Sequence, residues 1–337
     1  MNILSFETSC DETSAAVLEN DRIISNEVLS QMSHTEWGGV IPEIASREHL
    51  KEIVNVTSKA LHDAKISLDR IDAIACSNEP GLIGALLIGL SYSKSLALTL
   101  DLPFIPVNHI YAHLYSSFIG DRKPEFPFIS LIVSGGHTLL FKVDDFYRHT
   151  FLGTTIDDAA GEAFDKVAKL MELGYPGGPL IDKYARTGDR NFHKFPLASL
   201  KSGEYDFSFS GIKTSVLYFL KKINFPETKN EKLIADICAA FQDAVTESLL
   251  RTTMKAAKNF NIKRITISGG VSANSELRKK FLSQNGYDIY IPEPKYSTDN
   301  AAMIGVAAYY KYLTEPNKNY FMNESLKIEA KASFSVK

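Results

Sequence analysis

The chain has 337 residues, of which 45% are hydrophobic and 23% charged, and its formal net charge is −3. This is the composition of a globular protein with enough apolar residues for a substantial core, in two domains or one large one. The small net charge excludes binding of a polyanion through bulk charge, although a local basic face or a partner could still contact nucleic acid.

The cysteines and the apolar runs indicate where the protein works. Cys10, Cys76 and Cys238 are far apart and odd in number, so they form neither a zinc-type cluster nor a disulfide framework, which favours a reducing compartment. The start of the chain lacks the charged and apolar regions of a signal peptide. The longest apolar run, residues 82–100, contains three serines and Lys94, which argues against a membrane span. We therefore expect a cytoplasmic protein with no membrane partner.

Apolar periodicity alternates between strand and helix along the chain. Strands are predicted at residues 2–9, 14–19, 71–76 and 103–107, on both sides of 134–138, early in 199–220, and at 263–268 and 288–292. Helices are predicted from Pro42 to about residue 66, at 82–100, 108–118 and 155–173, after the loop 174–179, late in 199–220, and at 231–260, 274–282 and 299–313. The last two dozen residues are predicted to form a surface tail.

Two predicted hairpins resemble each other. The chain opens with a strand, a polar turn at residues 10–13, a second strand and an acidic end, and the same features recur around residues 134–138. This recurrence suggests a duplicated unit, and the alternation of strands and helices predicts an α/β fold with two similar lobes. Asp11 and Glu12 in the first turn could position a metal, a water or an amine, although turns commonly carry acids.

The second turn, Ser134-Gly135-Gly136-His137-Thr138, lies between two apolar strands. Its two glycines lack the Cβ atom that would keep a ligand away from the backbone. Successive N–H groups of such a turn can point at an anion such as a phosphate. A plain Gly-Gly hairpin is the simpler interpretation of the same residues.

His109 and His113 are one turn apart on a predicted helix, so both imidazoles project from one face. One metal ion can bridge this spacing, although two core or surface histidines are the simpler interpretation. Asp299 begins the last predicted helix, where it is either the N-cap or, if the two lobes fold together, a third ligand of a site suited to iron or zinc. Ile110 follows His109, so the glutamate of a zinc-protease HEXXH motif is missing.

Further candidates lie around two glycine-containing loops. Residues 265–277, ITISGGVSANSEL, place two glycines between a strand and a helix, where a flat or anionic group could approach the helix N-terminus. Asn274 is either a nucleotide ligand or the N-cap of that helix. Asp165 and Asp182 lie on either side of the loop at 177–178, and each is a solvated surface acid or part of a ribose-hydroxyl site.

Taken together, these segments resemble the tRNA N6-adenosine threonylcarbamoyltransferase family, TsaD in bacteria, formerly described as O-sialoglycoprotein endopeptidases. The matching stretches cover nearly the whole chain: ETSCDETS (7–14), HTEWGGVIPEIASREH (34–49), NHIYAH (108–113), IVSGGHT (132–138), DDAAGEAFDK (157–166), YPGGP (175–179), FSFSGIKT (207–214), SGGVSAN (268–274) and STDNAAM (297–303). His137 in the turn is typical of the bacterial members.

The resemblance implies an actin/Hsp70/sugar-kinase-type (ASKHA) fold, with two ribonuclease-H-like lobes and a nucleotide in the cleft between them. Residues 1–107 would form the N-terminal lobe, completed by a C-terminal helix at about 300–325. Residues 108–299 would form the C-terminal lobe, and 326–337 a tail. The implied reaction transfers the threonylcarbamoyl group of threonylcarbamoyl-AMP to N6 of adenosine 37 in tRNAs that read ANN codons, forming t6A and AMP.

The resemblance also implies roles for individual residues. One metal ion per subunit, Fe²⁺ with Zn²⁺ as an alternative in vitro, would be held by His109, His113 and Asp299. The adenylate would be lined by Ile132, Val133, Ser134, Gly135, Gly136 and His137. Its nucleoside part would be held by Asp165, Gly178, Asp182 and Asn274. Asp11 or Glu12 would orient the attacking amine or relay its proton.

The family implies several partners besides tRNA: an inactive paralogue of the TsaB type, a small ATPase of the TsaE type and the threonylcarbamoyl-AMP synthase. Residues 82–100 and the next helix are candidate contact surfaces for them, although core packing explains their small residues equally well. Lys279 and Lys280 are candidate tRNA contacts. A sugar kinase or ATPase of the same fold remains open, although its Mg²⁺ prefers oxygen ligands. A metalloprotease, weakened by Ile110, and a non-catalytic scaffold also remain open.

Overall fold

The computed structural model describes residues 1–31, 39–198 and 203–333, so residues 34–38 of the motif at 34–49 lie outside the described residues. The chain divides into two compact units, Met1–Lys123 with Thr298–Lys337, and Pro124–Ser297. The first boundary differs from the predicted one after residue 107. The helix that begins at His109 belongs to the first unit, because it packs on that unit's C-terminal helix.

The first unit is built on a five-stranded sheet. Its strands are β1 (Asn2–Glu7), β2 (Glu12–Glu19), β3 (Arg22–Ser30), β4 (Ala73–Glu79) and β5 (Phe104–Asn108). Their order is β3-β2-β1-β4-β5, with β2 antiparallel to both neighbours and β4 parallel to both of its own. The α-helices of this unit are α1 (Pro42–Ala64), α2 (Ile83–Leu100), α3 (His109–Tyr115) and α10 (Ala301–Thr314).

The second unit repeats this topology. Its strands are β6 (Phe128–Val133), β7 (Thr138–Asp145), β8 (Arg148–Thr154), β9 (Arg264–Ser268) and β10 (Asp288–Tyr290). The order β8-β7-β6-β9-β10 and the strand directions match those of the first sheet, which confirms the predicted duplication. Its α-helices are α4 (Ala160–Leu170), α5 (Gly177–Ala185), α6 (Ser210–Lys222), α7 (Phe225–Thr228), α8 (Glu231–Asn259) and α9 (Ser275–Leu282).

Side-chain alternation along β1 divides the first unit into layers. Leu4 and Phe6 are buried in an apolar core that includes Ile53 of α1 and Leu90 of α2. Ser5, between them, points to the other face and donates a hydrogen bond to the carbonyl of Ala301 in α10 at 2.7 Å. Helices therefore cover both faces of the sheet, as parallel strands require.

The second unit has its own core. Ile129, Leu131 and Val133 of β6 pack with helices α4 and α8. Phe164 of α4 and Phe241 of α8 meet edge to face, with ring centroids 5.2 Å apart. Each of the two units therefore has the buried apolar centre of an independent domain.

The edge strands β3 and β8 are absent from the predictions made by periodicity. Their residues are mostly exposed or half-buried, so neither segment carries a clear apolar alternation. Each pairs with the second strand of its hairpin and extends the sheet. The predicted strand early in 199–220 is wrong over the residues described there, since Phe207 forms only an isolated bridge with Thr155.

Helix α4 begins at Ala160 and not at residue 155, because the preceding acids have other partners. The carboxylate of Asp157 accepts hydrogen bonds from Ser208 Oγ and from the backbone N–H groups of Phe209 and Ser210. Asp158 is paired with two lysines. These contacts anchor the segment in front of α6, so the acids do not occupy a first helical turn.

The structure also tests the prediction of a surface tail and describes the long apolar helix α2. The end of the chain is not simply a surface tail, because Leu326 and Ala330 pack on the core of the first unit and Lys331 N–H bonds to the carbonyl of Asn78. Helix α2 is long and apolar enough, by length and composition alone, to cross a membrane, a property that core helices share. It packs against β4 and α1.

Candidate functional site

Helix α3 brings two histidines to one buried face. The side-chain oxygen of Asn108 caps the helix by accepting hydrogen bonds from the N–H groups of Ile110 and Tyr111 at 2.9 and 3.2 Å. The cap fixes the first helical turn at the carboxyl end of β5. His109 and His113 both lie on the buried side of this helix and are only 6% and 1% exposed. Their rings meet edge to face with centroids 4.7 Å apart.

Asp299 completes a cluster with these two histidines. The interpretation of Asp299 as the N-cap of the last helix is wrong, because Asn300 caps α10 by accepting from Met303 N–H. Asp299 Oδ1 lies 3.1 Å from His113 Nε2 and 3.6 Å from His109 Nε2. One ligand atom from each residue lies within 4.8 Å of the other two. Two imidazole nitrogens and a carboxylate are the donors that Fe²⁺ and Zn²⁺ accept in proteins.

The surroundings of this cluster are rich in carboxylates. Burial acts to lower the pKa of His109, but the charges of Asp299 and Glu7 outweigh it and raise that pKa to about 9. Burial and then the charges of Asp299 and Asp11 raise the pKa of Glu12 to about 10. Glu12, one of the two predicted acids of the first turn, is therefore electrostatically close to Asp299 and to Asp11. A divalent cation fits here, because its charge would favour the ionised forms of these clustered acids and the neutral form of His109.

Glu7, the last residue of β1, also takes part in the cluster, although its sequence context did not single it out. Its side chain is fully buried, and Glu7 Oε2 lies 3.1 Å from His109 Nδ1. An acidic residue is rarely buried at the end of a central strand unless it has a partner, so its presence there is a signal of function. That signal was present in the sequence LSFE of β1, but its partner is 102 residues away.

In the second unit, the turn between β6 and β7 is a true hairpin. Val133 pairs with Thr138, Ser134 N–H bonds to the carbonyl of His137 at 2.8 Å, and His137 N–H bonds to Ser134 Oγ at 3.1 Å. A Cβ atom added to Gly135 or to Gly136 would meet nothing within 4 Å. Packing within the protein therefore does not require these two glycines, which leaves room for a ligand against the backbone.

Neighbouring backbone holds this turn in place. A Cβ atom on Gly269, which has a φ of +86°, would lie 2.5 Å from the carbonyl oxygen of Val133. A Cβ atom on Gly161 in the first turn of α4 would lie 2.6 Å from the carbonyl oxygen of Ser134. The side chains of Ile132 and Val133 are fully buried, so these two residues can face a ligand only through their backbone.

Two of the residues predicted to hold the nucleoside, Asp165 and Gly178, lie in helices α4 and α5 of the second unit. Asp165 Oδ1 accepts from Gly177 N–H at 2.7 Å. Burial raises the pKa of Asp165, although the amides of Gly177 and Gly178 oppose the increase. A Cβ atom at Gly178 would meet nothing within 4 Å, and Gly178 lies inside α5, not in a preceding loop.

Asp182 and Asn274 are close together and are both 8% exposed, so the solvated-acid interpretation of Asp182 is wrong. Asp182 Oδ1 accepts from the N–H and the hydroxyl of Ser275, at 3.1 and 2.6 Å. Asn274 caps α9, as one prediction had it, and its Nδ2 donates to Gln242 Oε1 at 2.8 Å. Both residues therefore fix the start of α9.

Known structures share the fold of this chain. HypF from T. kodakarensis is similar with a TM-score of 0.60 at 15% identity, over 96% of this chain and 49% of that chain. Component A of (R)-2-hydroxyglutaryl-CoA dehydratase from Acidaminococcus fermentans is similar with a TM-score of 0.54 at 13% identity, over 93% of this chain and all of that one (100%). The duplicated α/β fold is thus of the ASKHA type, as predicted.

Sequence comparison then identifies the family. A family model described as tRNA N6-adenosine threonylcarbamoyltransferase matches residues 22–306. A protein of that name in Chloroherpeton thalassium is 53% identical over 328 residues, which cover 92% of this chain and 92% of the relative. The chain belongs to the tRNA N6-adenosine threonylcarbamoyltransferase family, and it is a transferase. The resemblance found in its motifs is confirmed.

Proposed function

We propose that this protein transfers the threonylcarbamoyl group of threonylcarbamoyl-AMP to N6 of adenosine 37 in ANN-decoding tRNAs, assisted by one bound Fe²⁺ ion. The observation that carries the proposal is the convergence of His109, His113 and Asp299, beside buried acids, in a chain from this family. A kinase is disfavoured because its Mg²⁺ ion prefers oxygen ligands, whereas this cluster offers two imidazole nitrogens. A HEXXH protease is disfavoured because Ile110 replaces its glutamate.

The metal would be held by His109 and His113 through their Nε2 atoms and by Asp299 through its carboxylate. When bound, such an ion supplies a positive charge that polarises a carbonyl or phosphoryl oxygen. The surrounding fold supports this role, since the histidines are buried and Asn108 caps the helix that carries them.

The reaction requires no protein nucleophile. The N6 amine forms a bond to the carbonyl carbon of the threonylcarbamoyl group, and the bond from that carbon to the phosphate oxygen breaks, so that AMP leaves with the electron pair. The N–H groups at Gly135 and Gly136 would bind the phosphate and stabilise its developing charge. The open space beside both glycines supports this assignment.

The nucleoside and the departing proton also need protein groups. Asp165 of α4 with Gly178 of α5, and Asp182 of α5 with Asn274 at the start of α9, would hold the adenosine part. Asp182 and Asn274 would act mainly by fixing the start of α9, because their own polar atoms already bond within the protein. The N6 proton would pass to a carboxylate of the first turn, Asp11 or, once the charge of a bound ion has lowered its raised pKa, Glu12.

We further propose that the enzyme works in the cytoplasm with tRNA, an inactive TsaB-type paralogue, a TsaE-type ATPase and the threonylcarbamoyl-AMP synthase. The tRNA contacts need one correction. Lys280 is only 11% exposed and is paired with Asp243 and Glu247, so its charge is already engaged. Lys279 is 72% exposed, and its ion pair with Glu276 is long, at 3.7 Å, so it remains a candidate phosphate contact.

The test is a transfer assay with purified protein, its partners, threonylcarbamoyl-AMP and unmodified ANN-decoding tRNA, read by nucleoside mass spectrometry. Product that depends on His109 and on the glycine turn is the expected result. If active partners and verified adenylate give no product, the transferase proposal fails, and ATP turnover and casein cleavage are measured next. Undiminished transfer by a metal-free His109→Ala protein would refute the role of the metal.

A further inference from the structure

Glu7 is a buried acid beside the metal cluster that has no role in the reaction described above. We propose that Glu7 is a positioning residue, which holds the proton of His109 on Nδ1 and so turns the lone pair of Nε2 toward the metal. This inference rests on the proposed metal site. It is carried by the contacts of Glu7 and not by the motif in which the residue lies.

Both oxygens of the Glu7 carboxylate are engaged. Oε1 accepts from the backbone N–H of Ser9 at 2.5 Å, and Oε2 lies 3.1 Å from His109 Nδ1. A carboxylate offers only acceptor atoms, so the proton of this second contact belongs to the imidazole. Ser9 Oγ also lies 3.1 Å from Nδ1, and its hydroxyl can accept from the same N–H.

The opposite edge of the ring faces the other ligands. His109 Nε2 lies 3.6 Å from Asp299 Oδ1, so the two nitrogens of one ring have separate environments, Glu7 on one side and the cluster on the other. Metal-binding histidines commonly donate their second N–H to a carboxylate, which fixes the tautomer and raises the basicity of the ligand nitrogen.

The two histidines are not equivalent in this respect. Among the residues that the structure describes, the buried Nδ1 of His113 has no hydrogen-bond partner, whereas Nδ1 of His109 has two neighbours. Of the two histidine rings, His109 is therefore the one that a neighbouring side chain orients through Nδ1. Because the Glu7 side chain is 0% exposed, its charge would be costly to keep there without such a partner.

Replacement of Glu7 by glutamine tests the tautomer directly. The amide oxygen is needed at Ser9 N–H, which places the amide NH₂ against His109 Nδ1. An NH₂ group can only donate, so it favours the tautomer with the proton on Nε2, the wrong nitrogen for binding a metal. The substitution keeps shape and volume almost unchanged and reverses one hydrogen bond.

The experiment measures metal affinity and not transfer. Wild type, Glu7→Gln and a control, Asp21→Asn, are stripped of metal and titrated with Co²⁺ and Zn²⁺ against a competing chelator, and the cobalt absorption spectrum is recorded. Asp21 is a matched acid in the same unit, paired with Lys123 and Tyr310. We expect about 10- to 100-fold weaker binding and an altered cobalt spectrum for Glu7→Gln only. Equal affinity and spectra in all three proteins would overturn the proposal.

A measurement on the wild type keeps the inference testable if Glu7→Gln does not fold, as judged by urea unfolding. Two-bond ¹⁵N–¹H correlation spectra of histidine-labelled, zinc-loaded protein report which nitrogen of His109 carries the proton. A protonated Nδ1 with a metal-bound Nε2 supports the inference, and the reverse refutes it. Metal binding that depends on His109 and His113 but not on Glu7 refutes the inference and leaves the proposed function standing. A wild-type protein that binds neither metal refutes both.

Discussion

A single methyl group at Gly161 should disturb the glycine turn without touching a ligand. A Cβ atom at this position would lie 2.6 Å from the carbonyl oxygen of Ser134 and 2.7 and 2.9 Å from Cα and N of Gly135. All three neighbours are backbone atoms, so no flexible side chain can move aside. The turn must shift by roughly 0.5–1 Å to restore ordinary contact distances.

Gly161→Ala should therefore change both stability and binding. Overpacking costs about 1–3 kcal/mol, and the better helix propensity of alanine offsets about 1 kcal/mol of that cost. The loss of one well-directed hydrogen bond to a charged phosphate is worth about 1.5–3 kcal/mol, which corresponds to AMP binding weaker by about tenfold to a hundredfold.

The matched control is Gly211→Ala. Gly211 is the second residue of α6, as Gly161 is the second residue of α4, but a Cβ atom there would meet nothing within 4 Å. It should be stabilised by about 0.5–1 kcal/mol relative to wild type. Urea unfolding and calorimetric titration with AMP compare the two variants. If Gly161→Ala unfolds like the control and binds AMP as wild type does, the packing argument is refuted.

Three further outcomes are expected. Gly136→Ala should keep wild-type stability, because its Cβ meets open space, but should weaken AMP binding; calorimetry showing unchanged affinity would contradict the phosphate assignment. His113→Ala should lose bound metal, measured by elemental analysis after gel filtration, and a full metal complement would remove His113 from the site. Burial lowers the pKa of Lys311 from 10.5 to about 8, so the unfolded chain binds more protons between these values and stability should rise with pH there. Urea unfolding should show this slope flattened in Lys311→Met, and an unchanged slope would refute it.

Many of the elements around the site could be predicted from the sequence, because local spacing alone determines them. The four-residue separation of His109 and His113 fixes their common face once a helix forms, and the two hairpins revealed the duplicated sheet. The edge strands β3 and β8 escaped prediction because strands with exposed faces lack the apolar alternation on which such a prediction depends.

Only the tertiary structure decided which polar groups, far apart in the chain, become partners. Asp299 lies 186 residues from His113, and it takes part in the cluster because its neighbour Asn300 caps α10 in its place. Glu7 reaches His109 across 102 residues, and Gly161 contacts the turn at Ser134 through the packing of α4. Periodicity reports which face of an element is buried, whereas hydrogen-bond partners depend on how separate elements are brought together in the fold.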